Sequence, residues 1–498
     1  MSSRHYEAIV IGSGLGGGAA AFALSRAGFR TLLLERGGWV KRDALDWSPR
    51  GILIDQRYRS RSPFEVEGDR GLHSVYPNEA VGGMSVFYGG ASLRLREKDF
   101  SSWPIDYSAM EPYYTKAEHL LEVHGQAGAD MHEPPRSGAY RFGGIELTSP
   151  AKRIHESAKA LGYRPFKIPL ALNFTNKDRP VCIQCSTCDG FPCRIEAKND
   201  VAMTILAKAQ ASDLVVMPGM IVLQLETRNG RVVRVRCLDG TTKREVEFSA
   251  KVVILSAGAL QSPAILLRSG LERLDNHRLI GRFLMRHCNA VVTGLFPFRT
   301  NPDRVFHKQL CFTDFYEDLR DRLGTSVGTI QDIYTPAPEV LKHYAPFGYG
   351  NLSAFVTRYL QNLLCIAEDE PQYENRVHLT ARLDDFGIAV TGVVHRYSDR
   401  DRLRRKYLTD RARRILKQAG GLYHRIYNLE TFSHAVGSLR FGNHPRNSVL
   451  DESCRLRGID NLFVLDGSFM PTSGGVNPSL TIAANALRVA DVIRTEHK

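Results

Sequence analysis

Apolar positions near the N-terminus change their pattern twice within thirty residues. Ala8–Ile11 is a continuous apolar run of the length of a buried parallel strand, and Thr31–Leu34 is a second. Ala19–Ala27 between them has helical composition. The pattern predicts a strand–helix–strand unit and an α/β protein built on it. Trp39–Glu79 has weak periodicity and many charges, and predicts an extended excursion or lid. Tyr107–Val123 reads as an amphipathic helix, Gly125–Gly144 as a loop and Ala151–Leu161 as a helix. Leu214–Phe248 alternates apolar and polar residues around Asn229-Gly230 and Asp239-Gly240, which predicts a β-meander. Lys251–Leu255 is another strand, followed by a helix over Ser262–Ser269. Ala290–Leu295, Val377–Thr380 and Ile388–Val394 are strand-like segments inside a stretch of different character. Asn461–Leu465 is a late strand, and Ser479–Ile493 a long helix.

The loop after the first strand carries candidate chemistry. Gly12, Gly14 and Gly17 have G-x-G-x-x-G spacing, and Glu35 closes the second strand. Gly12 suits a tight turn, Gly14 leaves room for a pyrophosphate, and Gly17 permits close helix–strand packing. The helix N-terminus offers free N–H groups to phosphate, and the acid can take ribose hydroxyls. This stretch predicts a dinucleotide site and leaves FAD and NAD(P) both open. Gly82, Gly83, Ser85, Gly89 and Gly90 form a second small-residue stretch, which permits close approach to a flat ligand.

Length and charge change the picture little. A chain of 498 residues holds two domains or one large composite. No apolar run is long enough for a membrane span, and the first strand begins almost at once, so a cytoplasmic protein is expected. The net charge is +13. No basic–aromatic nucleic-acid module accompanies it, so no nucleic-acid partner is expected. Much of the charge lies in Asp399–Lys417, best read as a core helix with a solvated basic face.

The C-terminal block, HAVGSLRFGNHPRNSVLDESCRLRGIDNLFVLDGSFMPTSGGVNPSLTIAANALRVADVI, decides the reading. With GSGLGGG and Glu35, VGGMSVFYGG with the downstream WPIDY and EPYY, and GALQSPAILLRSGL at Gly258–Leu271, it resembles the glucose–methanol–choline (GMC) family of FAD oxidoreductases. One departure is Glu272, where the family usually has glycine. The branch it is most similar to is the pyranose oxidase-like and bacterial sugar dehydrogenase branch. The resemblance implies a discontinuous Rossmann-type FAD-binding domain, 1–288 and 431–498, with an inserted α+β substrate domain at 289–430. It implies FAD near Gly12, Gly14, Leu15, Gly17, Glu35, Gly82, Gly83, Ser85, Val222, Ala257, Asp466, Gly467, Asn477 and Pro478. Some members attach flavin through a histidine just after VGGMS. Val86-Phe87-Tyr88 stand there here, so non-covalent flavin is expected.

His434 stands in the family's H-x-x-G-[TS] position, and Asn477 where members carry a second His or Asn. The roles implied are base for His434 and orienting partner for Asn477. Alcohol oxidation needs both an acceptor for hydride, which no side chain can be, and a base near neutrality for the hydroxyl proton. His287 and His444 are read as structural. The expected substrate is a sugar or glycoside hydroxyl, with a sterol-like or aromatic secondary alcohol second. Oxidase and dehydrogenase remain open, as does the electron acceptor. A lyase with structural flavin and an electron-transfer subunit are the alternatives.

Cys182, Cys185, Cys188 and Cys193 are spaced C-x2-C-x2-C-x4-C within the loop at 180–200. Four thiolates this close can bind zinc or an iron–sulfur cluster. A metal site and a plain thiol loop are equally consistent with the sequence.

Overall fold

The first strand, His5–Ile11, lies at the centre of a seven-stranded sheet. In this computed structural model, residues 5–209, 213–275, 277–306 and 308–497 are described. The first strand pairs in parallel with Thr31–Glu35 on one side and Glu245–Leu255 on the other. Leu214–Pro218 adds in parallel beyond Thr31–Glu35, and Leu462–Val464 in parallel beside Glu245–Leu255. The central parallel strands are buried on both faces over residues 8–11, Thr31–Glu35 and residues 252–255, which explains their unbroken apolar runs, whereas Leu214–Pro218 is a partly exposed edge. The meander is present as Met220–Arg228, Arg231–Asp239 and Glu245–Leu255, antiparallel throughout. Its last strand runs on into the parallel part of the sheet, so the expected strand at Lys251–Leu255 is the end of a longer one.

The helices start close to where their signals stand. Leu15–Arg26 begins four residues earlier than its composition suggests, directly after Gly14. Tyr107–Leu120 is capped by Asp106, whose carboxylate accepts from Ala109 N–H at 3.0 Å. It stops short of Val123 because Glu122 takes a left-handed conformation, φ 48°. The other helices of eight or more described residues are Ser149–Ala160, Gln261–Arg268, Asp399–Gln418 and the C-terminal Ser479–His497, which packs on Leu15–Arg26.

Two further sheets frame the substrate side. The six-stranded sheet is antiparallel in the order Tyr423–Asn428, Ala290–Leu295, Leu360–Ala367, Gly328–Ile333, Leu310–Phe312 and Phe166–Lys167. Its last strand comes from chain well before residue 289. The basic helix Asp399–Gln418 lies against this sheet through Leu408, Ala412, Ile415 and Leu416; Asp401 and Arg404 are buried with them, while most of its other charges face outward, in line with the core-helix reading. The third sheet joins Arg376–Leu383 and Ala389–Val394 to a hairpin, Phe64–Gly68 and Gly71–Val75. The expected excursion at 39–79 thus contains two strands, and Phe64–Gly68 pairs in parallel with Ala389–Val394. Among the described residues no helix is long and apolar enough to cross a membrane.

Candidate active site

The nucleotide-loop residues meet where the first strand ends. Gly12 has φ +97°, and a Cβ there would lie 2.3 Å from the Ser256 carbonyl oxygen. A Cβ on Gly17 would lie 1.9 Å from Gly12 O, so both glycines are required by packing. Gly14 differs: a Cβ would meet no heavy atom within 4 Å. It is the N-cap of Leu15–Arg26, and no side chain caps that helix. Leu15 opens the helix just beyond. Open space beside an uncapped helix N-terminus is what a pyrophosphate needs.

Glu35 and Ser13 brace this loop. Ser13 donates to Glu35 Oε2 from its N–H at 2.9 Å and from Oγ at 2.6 Å, and Gly37 N–H donates to Oε1 at 2.8 Å. Burial raises the Glu35 pKa and these bonds oppose the rise. A carboxylate has about four lone-pair sites, so roughly one remains for a ribose hydroxyl. Gly82 N–H donates to Ser13 Oγ at 2.9 Å, and Ser85 Oγ donates to Gly82 O at 2.6 Å. A Cβ on Gly83 would lie 2.8 Å from Gly14 Cα, so the second small-residue stretch lies against the first. Asp466 fixes the other flank. It accepts from Gly258 N–H at 2.9 Å, from Ser262 Oγ at 2.5 Å and from Ser468, and burial raises its pKa. Gly467 follows it against Ala435 and Val436, beside His434. Ala257 N–H is held by Ser262 Oγ at 3.0 Å, and Val222 is buried on the meander.

His434 and Asn477 are side by side. Asn477 Nδ2 is 3.5 Å from His434 Nε2, and Asn477 Oδ1 accepts from Gln331 Nε2 at 2.8 Å. Asn477 and Pro478 immediately precede the helix Ser479–His497. His434 is half-buried. Desolvation pushes its pKa well below the usual histidine value, and His287 and Lys308 add to the effect. It therefore stays neutral, and able to accept a proton, below the pH at which a free histidine charges. Gln331, on Gly328–Ile333 of the six-stranded sheet, was not anticipated as a site residue. His287, read from the sequence as structural, has its Nδ1 2.9 Å from His434 Nδ1. Gln331 comes from a segment without a motif, so only the folded chain reveals it.

The cysteines are not assembled into a ligand set. Among the described residues no group of three or more His, Cys, Asp or Glu side chains is placed to hold a metal ion. All four thiols are half-buried and outside disulfides. Desolvation pushes Cys182 up to about 12 and raises Cys188 as well, which favours thiol over thiolate. Lys198 anchors the loop instead. It is buried, and its Nζ donates to Phe191 O at 2.6 Å, Cys188 O at 2.8 Å and Val86 O at 3.2 Å.

The GMC oxidoreductase family models match residues 6–289 with the N-terminal part and 371–486 with the C-terminal part. The chain belongs to the GMC oxidoreductase family. It is 32% identical to 6'''-hydroxyparomomycin C oxidase of Streptomyces lividus, over 99% of this chain and 92% of that protein. It is 31% identical to paromamine 6'-oxidase of Streptomyces fradiae, over 98% of this chain and 91% of that one. Pyridoxine 4-oxidase from Mesorbium loti has the same fold, with a TM-score of 0.70 at 18% identity over 99% of this chain and 100% of that one. The protein is thus a GMC-fold oxidoreductase, and the loop around Gly12, Gly14 and Glu35 fits the FAD of the family.

Proposed function

We propose that this GMC oxidoreductase oxidises a CH–OH group of an amino-sugar glycoside, with His434 as base. The observation that carries the reading is the pairing of His434 with Asn477 in a desolvated setting at the start of the last helix. Similarity to two enzymes named as paromomycin-type and paromamine oxidases supports the substrate class.

Non-covalent FAD supplies the hydride acceptor when bound. Its pyrophosphate would be held by Gly12, Gly14, Leu15 and Gly17, its ribose by Glu35, and its remaining parts by Gly82, Gly83, Ser85, Val222, Ala257, Asp466, Gly467, Asn477 and Pro478. His434 takes the hydroxyl proton as hydride leaves the same carbon. Asn477, oriented by Gln331, holds the hydroxyl so that proton and hydride depart together.

The test is anaerobic titration of the holoenzyme with paromamine, glucose and aliphatic alcohols, followed by flavin absorbance. Bleaching is expected with paromamine at the lowest concentration. His434→Ala is expected to retain FAD and to bleach on the order of 10²- to 10⁴-fold more slowly. Undiminished bleaching in that variant removes His434 from the mechanism, and bleaching by aliphatic alcohols alone removes the substrate class.

A further inference from the structure

His287 makes contacts that bear on which nitrogen of His434 is free. Its ring is buried, and Nε2 lies 2.9 Å from Gly474 O and 3.2 Å from Ser473 O. Carbonyl oxygens only accept, so Nε2 of His287 carries a hydrogen. Burial lowers the His287 pKa, so the ring is neutral at pH 7 and its Nδ1 is a bare acceptor. His434 Nδ1, 2.9 Å away, must then be the donor. The single hydrogen of a neutral His434 sits on Nδ1, and its Nε2 is left bare, facing the Asn477 amide at 3.5 Å.

The His287 backbone reinforces this. Its φ is 61°, a left-handed conformation uncommon outside glycine. It is held there from several sides. His287 N–H donates to Asp369 Oδ1 at 3.0 Å, and Tyr397 OH donates to His287 O at 2.8 Å. Asp369 is fixed in turn by the Arg286 N–H at 2.8 Å and lies 3.6 Å from His395 Nε2. A strained residue with its polar atoms so fully engaged cannot turn its ring without breaking several bonds.

We infer that His287 is a positioning residue that locks His434 in the Nδ1–H tautomer, leaving Nε2 as the atom that takes the proton from substrate. The inference rests on the reading of His434 as base. The substrate O–H bond breaks as the Nε2–H bond forms, and the resulting imidazolium keeps its Nδ1–H hydrogen bond to His287. The hydride leaves the same carbon for the flavin, so the alcohol becomes a carbonyl. Lys308, His287 and Asp369 are the charged or titratable groups that act on His434 from surrounding elements.

The direct test is a nitrogen NMR spectrum of holoenzyme labelled with ¹⁵N-histidine, with the His434 signals assigned by their loss in His434→Asn. A pyridine-type Nε2 and a pyrrole-type Nδ1 are expected. A pyrrole-type Nε2 overturns the lock, whatever His434 does in catalysis. In kinetics, His287→Phe removes the acceptor and is expected to slow substrate-driven bleaching about 10²-fold with FAD retained. His287→Gln can donate to the carbonyls and accept from His434, and is expected to restore the rate to within about tenfold. Equal rates for wild type and His287→Phe overturn the positioning role. If His287→Phe does not fold, the wild-type spectrum decides alone. Failure of His434→Ala to slow bleaching would sink the base assignment, yet the tautomer would still be read from the spectrum.

Discussion

Gly12 and Gly14 are two residues apart and face opposite demands. A side chain at Gly12 meets the Ser256 carbonyl and an unfavourable φ, whereas one at Gly14 meets nothing in the protein. Gly12→Ala is therefore expected to destabilise the apoprotein by several kcal/mol, with strain and clash combined. Gly14→Ala should leave apoprotein stability within about 0.5 kcal/mol and weaken FAD binding by roughly tenfold or more. Thermal melts of both apoproteins with FAD titrations check the pair. Equal losses of stability would show that Gly14 serves packing after all. The glycine spacing was legible in the chain, because local turn geometry dictates it. The contact between His287 and His434 was not, since their 147-residue separation has no periodicity to betray it.

Elements were legible where one face is apolar and the ends carry caps. Ser398 is such a cap: its Oγ accepts from Asp401 N–H at 3.1 Å, while Asp401 Oδ2 accepts from Ser398 N–H at 2.8 Å. Ser398→Ala is expected to lower stability by about 1 kcal/mol, read as a shift in urea midpoint. An unchanged midpoint would mean that packing of Leu408, Ala412, Ile415 and Leu416 alone sets the helix start. The hairpin Phe64–Val75 was harder to see. Its strands are short and half-exposed, and the strand that Phe64–Gly68 pairs with in parallel lies 327 residues away, so the local pattern carries little of the information. The cysteine spacing illustrates the reverse case. It is compatible with a metal, but among the described residues no group of side chains is placed to hold one, and Lys198 anchors the loop.

At the scale of the molecule, buried titratable groups give stability a pH profile. His287, His395 and His434 have pKa values lowered chiefly by burial. Unfolding lets each take a proton more readily, so their contribution is complete above about pH 6.5 and is lost as pH falls. Glu368 has the opposite sign. Burial, with the Asp99 charge second, raises it to about 8. The folded state holds that proton and the unfolded state releases it, so stability falls as pH rises from the ordinary carboxyl range towards 8. Between about pH 6.5 and 8 only the second trend remains among these four groups. Apoprotein stability is expected to decline there by up to roughly 1.4 kcal/mol per pH unit, and Glu368→Gln is expected to flatten the decline. Denaturant melts across this range settle the matter, and a slope unaltered by Glu368→Gln would assign the decline to other groups.

The short strand Leu462–Val464 completes the parallel part of the central sheet beside Glu245–Leu255, and Asp466 just after it ties down Gly258. During synthesis, this strand leaves the ribosome some 450 residues after the one that begins the sheet. At about 5–20 residues per second, the nascent chain must wait roughly 20–90 seconds with its dinucleotide cradle unfinished. For the second half of that interval, the roughly 200 residues between the two strands, the apolar end of Glu245–Leu255 lacks its Leu462–Val464 partner, which makes the unfinished chain a natural client for chaperones and delays flavin capture until that strand has emerged.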